Sequence, residues 1–119
     1  MACAVTLAGD LPGILEEARR LGQEQEHGEK TREYHTKVLM PYFGKKYANI
    51  FQDCFARIQS PDARPYTFVA AIGANGKVLR VYHDVDTNIF QCMNAVLVNE
   101  TFPIPPVAPY FLHIDMKFK

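Results

Sequence analysis

The 119-residue chain predicts an α+β domain in which a three-stranded antiparallel sheet of order 2-1-3 packs in two layers against two helices, with a further helix ahead of them. Three observations predict it. Tyr47, Ile50, Phe51, Cys54, Phe55 and Ile58 recur with the 3.6-residue period of a helix that buries one face. Asn75-Gly76 sits between two apolar runs, as the turn of a β-hairpin does. From Tyr110 to Phe118 the residues alternate apolar and polar, the pattern of a half-buried strand.

The elements follow in order. Met1 to Ala8 (MACAVTLA) is apolar but too short for a whole signal peptide, and no basic stretch precedes it. It reads as a frayed end or as the trimmed remnant of a leader, and Ala2-Cys3 matches the tail of a lipoprotein cleavage site. Asp10 and Pro12 suit the first turn of a helix whose stripe is Ile14, Leu15, Ala18 and Leu21, with Glu16 and Arg20 as an i,i+4 pair. The charged stretch Gln23 to Lys30 is linker-like. It divides a helical arm, residues 1–30, from the domain proper, residues 31–119; the arm either packs on the domain or stands off it. The main helix ends at Ser60-Pro61, because the residue before proline disfavours the helical region. Upstream, Tyr34 to Met40 extends it, with a bend at Pro41 or Gly44.

Residues Tyr66 to Asp84 form the hairpin. A two-residue turn at Asn75-Gly76 pairs Ile72 with Leu79, Ala70 with Val81 and Phe68 with His83. One face then carries Phe68, Ala70, Ile72, Leu79 and Val81; the other carries Val69, Ala71, Arg80 and Tyr82. Asp86 or Thr87 caps a helix to about Asn99 whose inward residues are Ile89, Cys92, Met93 and Val96. Phe102 to Pro109 holds four prolines in eight residues and forms a stiff, extended connector. The last strand directs Tyr110, Leu112, Ile114, Met116 and Phe118 to one face and Phe111, His113, Asp115 and Lys117 to the other. Placed beside the first strand, it is an edge.

Lys plus Arg number 13 and Asp plus Glu 13, so the chain has no cation surplus for nucleic acid. No apolar run reaches the ~20 residues of a membrane span. Cys3, Cys54 and Cys92 lack the close pairing of zinc ligands, so Cys54 and Cys92 either form a disulfide or remain buried thiols. No phosphate-loop, dinucleotide or zinc-protease motif is present, and no cofactor is expected. His83, Asp84 and Asp86 cluster at a strand end, where a polar end with a helix cap explains them. His113 and Asp115 share one face of the last strand, at a spacing that also suits a hydrogen-bonded pair. A thiol enzyme built on Cys92 and His83 lacks an oxyanion site and a third orienting group.

Several residues carry a resemblance in their order: Cys54-Phe55 closing a helix, the strand Phe68 to Ile72 leading to Gly76-Lys77-Val78, Cys92 on the next helix, then Phe102-Pro103-x-Pro105 and a final strand closing on Phe118. Over residues 38–118 this resembles the periplasmic C-terminal domain of TonB-type energy transducers, in the branch found at the C-terminus of AgmX/PglI gliding-motility proteins. The resemblance implies a Cys54–Cys92 disulfide, a periplasmic or otherwise extracytoplasmic home and a non-enzymatic role in protein–protein interaction. The sequence shows neither the transmembrane anchor nor the long Pro-rich spacer of an energy transducer. It therefore reads as an isolated domain or a free-standing relative. The expected mode is β-augmentation, in which a protein or peptide segment adds to the free edge of the last strand and Phe111, His113, Asp115 and Lys117 give selectivity. The alternative is a homodimer through the same edge.

Overall fold

In the computed structural model, which describes residues 11–118, β1 (Tyr66–Ile72) is the middle strand of a three-stranded sheet, between β2 (Val78–His83) and β3 (Tyr110–Met116). Both neighbours run antiparallel to β1, so the order is β2-β1-β3 and the fold is α+β, as the periodicities predict. Met1 to Ala8, Cys3 and the Asp10 cap lie outside the described residues.

The hairpin corrects one detail. Gly76 N–H bonds Gly73 O at 2.9 Å and Gly73 N–H bonds Lys77 O at 2.8 Å, so the loop holds three residues and not two. Gly76 closes it at φ +85°, where a side chain is strained, and a Cβ there would collide with the Phe102 carbonyl oxygen. The longer loop shifts the register by one, pairing Ile72 with Val78, and a bulge at Leu79 shifts it back. Ala70 still opposes Val81 and Phe68 still opposes His83. Leu79, expected inside, is 43% exposed, and Val78 packs against the core in its place.

The helices lie on both faces of the sheet. On one face, α3 (Met40–Arg57) buries Phe43, Tyr47, Phe51 and Cys54, and α4 (Asn88–Leu97) buries Ile89, Phe90, Met93 and Leu97. They enclose Phe68, Ala70 and Ile72 of β1 with Tyr110, Leu112 and Ile114 of β3. Phe51 and Phe55 both meet the Phe118 ring edge-on, which anchors the residues after β3. Thr87 caps α4 by accepting from Phe90 N–H at 3.0 Å. The inward face of α4 is rotated from the expected one: Phe90 and Leu97 are buried, while Val96 is 37% exposed.

Upstream of α3, the single turn α2 (Arg32–Tyr34) runs into a π-helical turn, His35–Leu39. Here Met40 N–H bonds His35 O, five residues back. Pro41 follows with no N–H to donate and a ring that crowds the carbonyl four residues before it; the wider turn makes room for that ring. The irregularity thus falls ahead of Pro41, and α3 runs on through Gly44.

On the opposite face, α1 (Leu15–Glu26) covers Val69, Ala71, Tyr82 and Phe111 with Ala18, supported by Leu11, Leu15 and Leu21. The N-terminal helix therefore packs on the sheet as a further layer. Its ion pairs are Arg19–Glu16 and Arg20–Glu24, both 2.6 Å, in place of Glu16–Arg20. Cys54 and Cys92 join α3 to α4, with S–S 2.09 Å and Cα–Cα 6.0 Å.

Candidate functional site

The outward side of β3 is the candidate site. In an antiparallel ladder successive residues aim their backbone groups alternately at the two neighbours. Phe111 N–H points away from β1, since it donates to the Gln25 side chain, so Phe111, His113 and Asp115 form the outward set. Among the described residues, the outward groups of His113 and Asp115 meet no hydrogen-bond partner.

The side chains expected to select a partner are divided by α1. Phe111 is 3% exposed beneath the helix, and a Cβ on Gly22 would lie 3.2 Å from His113 Cβ. With α1 docked these two side chains lie against the helix, while the outward backbone of His113 stays open. Asp115 and Lys117 remain exposed. Asp115 accepts from Thr67 Oγ1 at 2.6 Å and lies 3.2 Å from His113 Nε2. The Thr67 hydrogen bond chiefly holds the Asp115 carboxyl below its ordinary range, and His113 adds to it.

Two arrangements had no signal in the sequence reading. At the exit of α1, Glu26, His35 and Tyr110 form a chain across α1, the π turn and β3. Glu26 Oε1 is 3.7 Å from His35 Nε2, and His35 Nδ1 is 3.0 Å from the Tyr110 hydroxyl. Burial pushes the His35 imidazole below its ordinary value; Glu26 opposes this and His27 adds to it. Beside α3, Glu100 is 5% exposed. It accepts from Tyr42 at 2.7 Å, Tyr47 at 2.8 Å and its neighbour Thr101 N–H at 3.1 Å, with Lys46 Nζ 2.9 Å away. Burial would raise its carboxyl, but the hydrogen bonds from Lys46, Tyr42 and Tyr47 outweigh it and hold it low. Its carboxylate oxygens are engaged, so the group fastens the chain after α4 to α3.

Of the other candidates, His83 and Asp86 come together, with Nε2 3.6 Å from Oδ1, and Asp84 is engaged elsewhere. His83 stacks on Phe90 with centroids 4.1 Å apart, while Asp84 Oδ1 accepts from the backbone of Thr67 at 2.8 Å and of Val85 at 2.6 Å. Cys92 is bonded to Cys54 and is no thiol nucleophile in that state. Among the described residues no three His, Cys, Asp or Glu side chains converge to hold a metal, and no helix is long and apolar enough to cross a membrane. No protein-family model matches the chain, and no curated protein or solved structure matches it.

Proposed function

We propose that this is a non-enzymatic protein-interaction domain that takes an extended segment of a partner as an added strand against β3, pairing with His113 and Asp115. The observation that carries the reading is an edge strand whose outward backbone groups stand open beside exposed Asp115 and Lys117. Main-chain hydrogen bonds would give affinity, and those two side chains, which interrupt indiscriminate edge pairing, would give selectivity. The TonB/AgmX-type resemblance supports the reading through its ordered motifs, its paired cysteines and a last strand at a sheet edge. The Cys54–Cys92 pair also supports an extracytoplasmic home, where disulfides persist.

Proline substitution tests it. His113→Pro and Asp115→Pro each remove an outward N–H and spare the β1–β3 ladder; Leu112→Pro and Ile114→Pro remove ladder donors and should unfold the domain. The test compares partners recovered from native extract by wild type and by the two outward variants. Folded outward variants that lose those partners support the reading, and full retention by both excludes augmentation at β3. Sedimentation of the pure protein separates the homodimer alternative: a dimer abolished by the same two variants assigns the edge to a second copy.

A further inference from the structure

The open edge is closed at one end by a side chain. Gln25, in the last turn of α1, donates from Nε2 to Pro109 O at 3.1 Å and accepts from Phe111 N–H at 2.7 Å. Its carboxamide thus supplies, to two successive outward groups, the donor and the acceptor that a neighbouring strand would supply. The helix backbone follows it onto the edge. A Cβ on Gly22 would come within 2.9 Å of Phe111 O, so α1 approaches this closely only because residue 22 is glycine. α1 crosses the strands to get there. Pro12 O, just ahead of it, accepts from Arg80 and Tyr82 on β2, Ala18 packs on Val69 and Ala71 of β1, and Gly22 and Gln25 rest on β3.

The grip of α1 is light for a helix in that position. Within it the buried residues are Ala18 and Gly22, and Ile14 at its N-cap makes no side-chain cap bond. Its last turn holds Glu24 and Glu26 and no basic residue, the wrong sign for the helix dipole.

We infer that α1 gates the β3 edge: docked, it fills the pairing position at Phe111 and limits an incoming strand to His113 and Asp115; lifted, it frees one continuous edge from Phe111 onward. This rests on the reading that β3 takes an added strand. The partner it implies is an extended segment that competes with α1 for Phe111, so segment binding and α1 docking oppose each other.

The test uses wild type, Gln25→Ala and Gly22→Val, all as the full chain. The probe is a synthetic peptide copying Arg64 to Ile72, whose sequence already pairs with β3 from the inner side; a version N-methylated at alternate residues is its control. Gln25→Ala removes no apolar core side chain and keeps the test valid if Gly22→Val fails to fold. The expected result is at least about tenfold tighter peptide binding by Gln25→Ala, from two hydrogen bonds becoming available to the peptide at Pro109 and Phe111. Peptide bound to that variant should slow hydrogen exchange at the Phe111 amide, and the methylated control should not bind. Equal affinity for wild type and variants, with protection confined to His113 and Asp115, overturns the gate and leaves edge binding standing. No binding by any of the proteins overturns both.

Discussion

Phe68 and Val69 are neighbours on β1 and both are fully buried, yet they face different constructions. Phe68 points into an aromatic core walled by α3 and α4, and those helices are tied to each other by Cys54–Cys92. The Glu100 cluster further fastens the chain after α4 to α3 through Tyr42, Tyr47 and Lys46. Val69 points at α1 alone, a helix held by buried Ala18 and Gly22, partly buried Leu15 and Leu21, and hydrogen bonds at its two ends. The first face combines large apolar burial with covalent and ionic ties; the second has apolar strand residues under a light cover. Stability is therefore concentrated on one side of the sheet and adjustability on the other.

The largest effect that sharpens this contrast is a matched pair of truncations. Phe68→Ala should cost about 3–5 kcal/mol in urea unfolding, because its surroundings are locked and a cavity remains. Phe111→Ala should cost clearly less, since α1 can settle into the space. Equal losses would make the two faces alike. Reducing Cys54–Cys92, which are 38 positions apart, removes a cross-link whose chain-entropy contribution is about 4 kcal/mol at most. The melting temperature should drop, while hydrogen exchange in α1 keeps its protection relative to global unfolding.

Glu100→Gln should cost about 1.5–3 kcal/mol at neutral pH, the scale of hydrogen bonds to a charged group. Because the folded carboxyl lies below its ordinary value, its contribution is present above the usual glutamate range and is lost as pH falls through the folded value. The variant should therefore lose part of the wild type's acid sensitivity, seen as a flatter melting-temperature profile at low pH. The smallest effect lies on the α1 side. His35 is held below its ordinary value, so the unfolded chain takes up a proton at about pH 6.5 before the folded one does. Stability contributed by neutral His35 is thus full above that pH and declines as pH falls toward the folded value. Glu26, His27 and Tyr110 face this group, and α1 amides should exchange faster on acidification in wild type than in His35→Gln. An unchanged difference across pH 7 to 5 would detach His35 from α1 docking.

Much of the architecture was legible because period and alternation are local signals. The α3 stripe, the two hairpin strands and the strict alternation of β3 each fix a face without reference to the rest of the chain. What lay beyond them depended on distant partners. Alternation separates Phe111 and His113 from Leu112 and Ile114, but it does not say what covers the second face. A signal was present there: Val69, Ala71 and Phe111 are apolar on a face assigned to solvent, and an apolar stripe opposite them needs a cover. The three-residue loop escaped because Asn75-Gly76 fits two turn types, and the Leu79 bulge then hid the difference beyond the first pair. Glu100 sits in no motif; its role arises from hydroxyl groups more than fifty residues away. Gln25 lay in a stretch read as a charged linker, and only the fold brings it to the edge of β3.

The reach of that glutamine has a consequence during synthesis. Gln25 and Phe111 are 86 positions apart, and α1 is translated before every strand it covers. At the usual ~5–20 residues per second, α1 leaves the ribosome roughly 4–17 s ahead of the strand that completes its seat. Through that interval its apolar stripe and the half-built second face lack the cover that β3 completes, which is when chaperones or a neighbouring nascent chain would meet them. The last strand to emerge closes both faces of the sheet at once, so a nascent chain stalled before Tyr110 keeps the whole domain open.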